Sequence, residues 1–327
     1  TLHGSSAASD VYKRQGAEEF LDNLVANKLP KKIGRINLCH ALNTKGGVHS
    51  EFTIMREAED SFYLVSAGAF QRLDHDWIHR WMPKDGSVQF ENLTNSNGVL
   101  VVSGPKAREL MQRVSTDDFS NENFKWLSAK MVDIGYAPVN AMRVNFVGEL
   151  GWELHHPIEY QNHIFDKLME AGQDLGIKPY GIRAMNSLRV EKSYKLVGTE
   201  LSIEYSPYES GLDRFVHPNK GKFIGLEALN QWREKGFNNK LITMEVHNTT
   251  DADVLGNNPV YENGSVIGRA TGGDFGFRLD KSIALAMVKP ELGNVGQKLK
   301  IDILGKMHEA TVLEESPYDP ENNLLRA

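Results

Sequence analysis

Near the start of the chain, hydrophobic residues recur at helical spacing. In residues 16–27, GAEEFLDNLVAN, they return every three or four positions while acidic residues occupy the positions between them. This period predicts an amphipathic helix that buries one face. The face expected to be buried comprises Ala17, Phe20, Leu21, Leu24 and Val25. Further helices are predicted over 69–82, 104–114, 161–177 and 182–195, and a charged helix followed by a turn over 229–240.

Alternating apolar and polar residues between these helices predict strands. The clearest pair, 33–43 and 48–56, is joined by a turn that contains Gly46 and Gly47. From Leu241 onward, short strands recur between turn signals, and Asn263-Gly264 between two alternating runs predicts a hairpin. The pattern therefore predicts an α+β body followed by a small β-barrel or jelly roll. The other predicted strands lie at 61–68, 88–94, 98–103 and within 131–156.

A chain of 327 residues is too long for one small core, so two or three subdomains are expected. Residues 1–15 show neither a hydrophobic period nor a signal-peptide core, and they are predicted to be a non-native, disordered tail. The natural protein would then begin further upstream, and this chain would be truncated at its N-terminus. We expect the body to span 16–235, with two subdomains, and the C-terminal β-barrel to span 236–327.

Composition excludes several classes of protein. Hydrophobic residues make up 40% and charged residues 24%, as in ordinary globular proteins. A net charge of −6 argues against nucleic-acid binding. The sequence contains no apolar run of about 18 residues, so no membrane span is predicted. Cys39 is the only cysteine, which rules out an intrachain disulfide and a cysteine-rich metal site. A cytoplasmic location is expected.

His75 and His79 have the spacing of a helical metal-binding pair. The sequence suggests no third ligand, and the neighbouring acids Asp74 and Asp76 favour a solvated helix face. No metal site is therefore predicted.

Two acids remain as candidates for chemistry. Glu51 follows the Gly46-Gly47 turn, and Glu153 lies between Trp152 and Leu154 in VGELGWELHH. The carboxylate of Glu153, between two apolar residues, is costly to bury unless a partner pairs with it. Because an ionised carboxylate only accepts hydrogen bonds, the two acids and nearby aromatics predict a pocket for a flat, cationic or N–H-rich ligand. A solvated strand edge is the alternative for each acid.

The stretch VGELGWELHHP, residues 147–157, resembles a signature of the folate-binding aminomethyltransferase family, the glycine cleavage T-proteins. Within that family it is most similar to the version fused to the dimethylglycine and sarcosine dehydrogenases. The resemblance extends over 16–318 in family order. It is carried also by residues 20–54, 98–114, 182–212, 213–229 and 264–276.

The resemblance implies an α+β fold of the folate-binding aminomethyltransferase type. Three subdomains would surround a hole that admits tetrahydrofolate: a folate-binding body split in sequence, a ferredoxin-like subdomain and a C-terminal β-barrel. Glu153 would accept hydrogen bonds from the pterin, whose ring N–H and exocyclic amine suit one carboxylate. Glu51 would be catalytic and lie near the reacting nitrogens. The flanking folate contacts would be Ser50, Phe52, Leu154 and His155.

Two positions depart from the family pattern. Phe146 replaces a tyrosine seven residues before the pterin acid, and it keeps a stacking surface without the hydroxyl. Met185 replaces an arginine of the type enzyme, which argues against a lipoyl-dependent glycine cleavage enzyme and for the dehydrogenase-fused branch. Arg189 lies nearby in the sequence. The alternative to a functional role for it is a structural ion pair with Glu191 or Asp166.

The implied function is formation of 5,10-methylenetetrahydrofolate from the iminium or formaldehyde that a flavin domain produces by demethylating dimethylglycine or sarcosine. Glu51 would stabilise the cation and take up the proton. No G-x-G-x-x-G unit occurs in the chain, so FAD is expected on a missing N-terminal domain or a partner oxidoreductase. Two alternatives are a flavin-independent demethylase, acting for example on a sulfonium compound, and a non-catalytic folate-binding protein. Cys39, on a predicted strand, does not favour the latter.

Overall fold

Two antiparallel sheets and a closed barrel form the framework of the computed structural model, which describes residues 7–13, 16–249 and 251–327. The first sheet has the order β2-β3-β4-β1-β5 and the second the order β6-β9-β8-β7, and the barrel closes in the order β10-β13-β12-β11-β14-β15. The strands of the two sheets are β1 (Ala7–Lys13), β2 (Ile36–Leu42), β3 (Val48–Ala58), β4 (Ser61–Ala67), β5 (Gln89–Asn92), β6 (Asn97–Ser103), β7 (Ala129–Ile134), β8 (Ala137–Met142) and β9 (Gly151–Pro157). The barrel strands are β10 (Lys240–Val246), β11 (Pro259–Glu262), β12 (Ser265–Gly276), β13 (Lys281–Val288), β14 (Lys298–Ile303) and β15 (Lys306–Leu313). The α-helices are α1 (Ala17–Leu24), α2 (Gln71–Trp81), α3 (Ala107–Val114), α4 (Gln161–Ala171), α5 (Ile182–Val190), α6 (Leu226–Lys235) and α7 (Asn323–Arg326).

The N-terminal segment differs from the sequence expectation. Residues 7–13 form β1, which pairs antiparallel with both β4 and β5. The expectation of disorder is therefore wrong for these residues, whose backbone joins β4 to β5 within the sheet. Residues 1–6, 14 and 15 of the expected tail lie outside the described residues.

The helical period of the first segment is confirmed. All five residues of its expected apolar face are buried, and they share one core with Phe52 and Ile54 of β3 and with Trp77 of α2. Burying a side chain of this size contributes about 1.5–3 kcal/mol, so this face anchors α1 to the first sheet. The same core covers one face of β3 and leaves the other face for the site.

The second sheet carries α3 and α4 on one face only. Its core includes Trp152 and Leu154 of β9 together with Leu110 of α3 and Ile164 of α4. This is the layering expected of a sheet that buries one face under helices. The opposite face of the second sheet is turned toward the first sheet.

The C-terminal module is a closed six-stranded barrel. Of the two alternatives predicted from the sequence, a β-barrel or a jelly roll, this is the first. Asn263 and Gly264 connect β11 to β12 with positive φ angles of 48° and 78°, which confirms the hairpin. The charged helix and turn predicted over 229–240 correspond to α6, which spans Leu226–Lys235 and so begins three residues earlier than expected. Gly236, with φ 81° and ψ 164°, ends it, and β10 has begun by Lys240.

Within the described part of the chain, no helix combines the length and the apolar character that crossing a bilayer requires.

Candidate active site between the two sheets

Glu51 lies on β3 directly opposite His40 on β2. The Oε2 atom of Glu51 is 2.8 Å from Nε2 of His40, and the two side chains are 23% and 0% exposed. The turn before Glu51 is held close to the body, since a Cβ on Gly47 would lie 2.2 Å from the carbonyl oxygen of Ile203. The Gly46-Gly47 turn thus fixes where β3 begins and where Glu51 points.

Glu153 is one member of a chain of hydrogen bonds that crosses between the sheets. Its Oε2 atom is 3.2 Å from Nε2 of the buried His155. Nδ1 of His155 is 3.2 Å from the hydroxyl of Tyr63 on β4, and that oxygen accepts a hydrogen bond from Asn97 at 3.2 Å. With a neutral ring, His155 accepts from Tyr63 and donates to Glu153. The carboxylate keeps a 21% exposed side chain, so it is half-buried and paired within the protein.

The two acids lie on facing surfaces. Side chains on a strand alternate between faces, so Glu51 shares a face with Met55. Met55 packs in one cluster with Met142, the register partner of Glu153 on β8. The Tyr63–His155 bond joins the same two surfaces. Glu51 and Glu153, 102 positions apart in sequence, therefore project from facing surfaces of the two sheets. The region between these surfaces is called the intersheet space.

Alternation places three other predicted contacts on the far faces. Ser50 is buried and donates a hydrogen bond of 2.5 Å to Asp74 of α2. Phe52 lies in the α1–α2 core and Leu154 in the α3–α4 core. In this conformation these residues can meet a ligand in the intersheet space only through backbone groups.

Phe146 supplies an aromatic surface in the segment between β8 and β9. Its ring stacks on that of Tyr194, with 5.7 Å between the centroids and 27° between the planes. Tyr180 lies near Glu153 and is 3.2 Å from the hydroxyl of Ser103. Burial and the neighbouring charge of Glu153 raise the pKa of Tyr180, so this phenol remains a hydrogen-bond donor at neutral pH.

The first acid of the same motif has a different environment. Glu149 Oε1 accepts hydrogen bonds from Arg278 at 2.7 Å and from the hydroxyl of Tyr318 at 2.8 Å. Arg278 also pairs with the fully buried Glu191. These contacts neutralise Glu149 and tie the loop to the C-terminal segment, so its role is structural.

The expected ion pair of Arg189 with Glu191 or Asp166 is wrong. Arg189 pairs with Glu200 at 3.0 Å, and the two side chains are 3% and 0% exposed. Its other bonds go to the carbonyl of Tyr194 and to Asn186. Because Glu191 is already engaged by Arg278, the two arginines divide the two buried acids between them.

His75 and His79 lie with their ring centroids 4.2 Å apart on α2. Across residues 16–249 and 251–327, no three histidine, cysteine or acidic side chains come together in a way that could hold a metal ion.

A cleft of about 620 Å³ opens beside the intersheet space. Met55 and Asn140 line it, and Asn140 is the register partner of His155 on β8. Neither Glu51 nor Glu153 lines this cleft directly. It lies next to the face from which both acids project.

The two glycines of the GELG stretch are required by packing. Gly148 has φ 72°, and a Cβ there would lie 2.3 Å from Cγ of Lys192. A Cβ on Gly151 would lie 2.4 Å from the carbonyl oxygen of Val102 on the paired strand β6. Since backbone atoms of a sheet cannot move independently, Gly151 sets how closely β9 approaches β6.

Gly151→Ala is therefore expected to lower the free energy of unfolding by about 1–3 kcal/mol, the usual cost of overpacking. Urea denaturation followed by circular dichroism measures it. Gly181→Ala is the matched control, because nothing lies within 4 Å of a Cβ at that position. Equal stability of the two variants would contradict the close approach of β9 to β6.

Sequence reasoning missed His40, Tyr63 and Asn97. None of them belongs to a local motif. His40 and Glu51 are neighbours only through the β2–β3 register, and Tyr63 reaches His155 across two sheets. The one signal available was the hairpin itself, because pairing its strands through the glycine turn places position 40 near position 51.

The sequence matches two family models: "GCVT N-terminal domain" over residues 12–220 and "Glycine cleavage T-protein C-terminal barrel domain" over 239–319. Mitochondrial dimethylglycine dehydrogenase of Homo sapiens is 38% identical over 318 residues, which are 96% of this chain and 36% of that protein. The chain thus spans little more than a third of that relative. An aminomethyltransferase of a Thermoanaerobacter species is 31% identical over 312 residues, or 94% of this chain and 82% of that protein.

The fold was also compared with solved structures. The crystal structure of glycine cleavage system aminomethyltransferase T from Bartonella henselae matches with a TM-score of 0.86, covering 97% of this chain and 85% of that chain at 20% identity. This likeness confirms the predicted α+β fold of the aminomethyltransferase type. On the two family matches and the coverage of the bacterial relative, the chain belongs to the glycine cleavage T-protein family.

Proposed function

We propose that the chain binds tetrahydrofolate between its two sheets and transfers to it a one-carbon unit derived from an N-methyl amine. The observation that carries the proposal is the pair of half-buried carboxylates on facing surfaces, each hydrogen-bonded to a buried histidine. Family membership supports the folate, and the similarity to dimethylglycine dehydrogenase supports the amine donor.

The residues present fit a reduced pterin. Among the described residues, hydrogen bonds engage only Oε2 of Glu51 and only Oε2 of Glu153. Each carboxylate therefore keeps an oxygen that can accept from a ligand N–H group, and each is more than one-fifth exposed. The Phe146–Tyr194 stack adds aromatic surface. Acceptors together with aromatic surface suit a flat ring that carries several N–H donors.

The two acids would have separate tasks. Glu153, oriented by His155, would accept from the ring N–H and amino groups and so set the position of the ligand. Bound tetrahydrofolate would supply the nitrogens that receive the carbon, giving 5,10-methylenetetrahydrofolate. Glu51 would stabilise the cationic carbon donor and take up the released proton, and its carboxylate acts more strongly in a partly desolvated site. Holding the reactants in contact would lower the barrier further.

Oxidation of the donor belongs, in this proposal, to an FAD-dependent oxidoreductase domain or subunit. Dimethylglycine or sarcosine would be demethylated there, and the carbon would pass to the folate site. The support is the similarity to dimethylglycine dehydrogenase, of which this chain covers 36%.

The proposal is tested by titrating the chain with tetrahydrofolate in a calorimeter, and by following formaldehyde and 5,10-methylenetetrahydrofolate during demethylation of dimethylglycine by a flavin-dependent oxidase. We expect binding, and a shift of the product from free formaldehyde to methylenetetrahydrofolate when the chain is added. Demethylation of a sulfonium donor without any flavin enzyme would favour the flavin-independent alternative. Absence of folate binding would overturn the proposal.

A further inference from the structure

His40 is the residue through which β2 contacts Glu51. Its imidazole is 0% exposed, and its Nε2 atom is 2.8 Å from Oε2 of the carboxylate. Hydrogen bonds between a donor N–H and an ionised carboxylate are short and strong. This one ties Glu51 to the neighbouring strand of a rigid sheet and leaves Oε1 without a partner among the described residues.

Nδ1, the other ring nitrogen of His40, determines which protonated form of the ring its surroundings accommodate. Nδ1 of His40 is buried and has no hydrogen-bond partner in the described structure. The ring packs beside Phe215, with 5.6 Å between the centroids. Protonating His40 would therefore create a buried N–H donor on a cation with nothing to accept it, which is costly. The neutral ring with its proton on Nε2 avoids this cost and donates to Oε2 of Glu51 whether or not the other carboxyl oxygen carries a proton.

This arrangement differs from the other histidine–glutamate pair. His155 has partners on both nitrogens, Tyr63 on Nδ1 and Glu153 on Nε2. Of these two pairs, only His40–Glu51 has a buried ring nitrogen with no hydrogen-bond partner in the described structure. The position of His40 therefore favours orientation of Glu51 over exchange of protons with it.

We infer that His40 is a positioning residue for one-carbon transfer, holding the carboxylate of Glu51 aimed into the intersheet space. The inference rests on the proposed function and deepens it. In the transfer, a bond forms between the donor carbon and a nitrogen of tetrahydrofolate, and the bond between that carbon and the donor amine breaks. The proton lost by the folate nitrogen is taken by Oε1 of Glu51 and passed to the departing amine, which returns Glu51 to its starting state. Oε2 continues to accept from His40, which keeps its own single proton throughout.

The test compares His40→Leu with His40→Gln in the full chain. Leucine removes the donor, so transfer should slow by about ten- to hundredfold, the usual cost of a misplaced reacting group. The dissociation constant for tetrahydrofolate should stay within about twofold, because Glu153 still holds the ring. Glutamine keeps an N–H donor on a side chain of similar reach and should restore most of the rate. His40→Asn, too short to reach Glu51, replaces the leucine variant if leucine impairs folding.

A double variant separates positioning from a general structural role. In a Glu51→Gln background, His40→Leu should cause no further loss of turnover, because the residue acts only through Glu51. Additive losses would overturn the inference, as would wild-type turnover in His40→Leu or equally slow leucine and glutamine variants. If the unaltered chain binds no tetrahydrofolate or transfers no carbon, the proposed function itself fails. Binding and transfer by the unaltered chain are therefore measured before any variant is made.

Discussion

Glu153→Ala is expected to weaken tetrahydrofolate binding by about 2–4 kcal/mol, or roughly 30- to 1,000-fold in the dissociation constant. The reason is that alanine removes the acceptor proposed for two N–H groups of the ring and leaves those donors unpaired. The loss should be in affinity, since the proposed hydrogen bonds form in the ground state as well as during transfer. Calorimetric titration with tetrahydrofolate measures the change directly.

Glu159→Ala provides the matched control for that experiment. Glu159 is exposed in the turn that follows β9, so its replacement changes the net charge equally without altering the intersheet surface. It should bind tetrahydrofolate as the unaltered chain does. A Glu153→Ala variant that also binds normally would remove the assignment of Glu153 as the ring acceptor.

Glu51→Gln is expected to slow one-carbon transfer by about a hundredfold while tetrahydrofolate still binds. Loss of a positioned proton acceptor commonly costs two to four orders of magnitude. Glutamine has nearly the same shape, and its amide oxygen can accept the Nε2 hydrogen bond of His40, so the β2–β3 register should be undisturbed. The measurement is the rate of methylenetetrahydrofolate formation above the uncatalysed rate at saturating folate.

The control for Glu51 is Glu59→Gln, in the exposed turn between β3 and β4. It removes the same charge from the same hairpin and should leave both rate and affinity unchanged. Equal turnover of the Glu51→Gln variant and the unaltered chain would eliminate the catalytic role of Glu51. A large loss of folate affinity in that variant would instead make Glu51 a binding residue.

Two acids four positions apart in one motif have opposite fates. Glu149 is neutralised by Arg278 and by the Tyr318 hydroxyl, and these contacts attach the motif loop to the C-terminal segment. Glu153, among the described residues, is hydrogen-bonded to His155 and stays more than one-fifth exposed. The difference follows from the surroundings of each side chain. Glu149 lies in the loop and contacts Arg278, which lies between β12 and β13. Glu153 lies on the face of β9 that is turned toward the first sheet.

Local patterns predicted much of the secondary structure. The buried face of α1, the β2–β3 hairpin and the Asn263-Gly264 turn were readable because each depends on neighbours within a few residues. The errors can also be traced to particular residues. The N-terminal end of α6 was placed three residues too late, and Arg189 was assigned the wrong acid because ion-pair partners depend on packing.

The sequence by itself determined the family, through its resemblance to known members, and the α+β architecture, through short-range periods; it also singled out Glu51 and Glu153 as candidates. Only the tertiary structure decided that Ser50, Phe52 and Leu154 turn away from the intersheet space while His40 and Tyr63 enter it. The physical reason is strand register. A shift of one residue exchanges the two faces of a strand. The faces of β3 and β9 therefore depend on their pairing with β2 and β6, strands that lie elsewhere in the sequence.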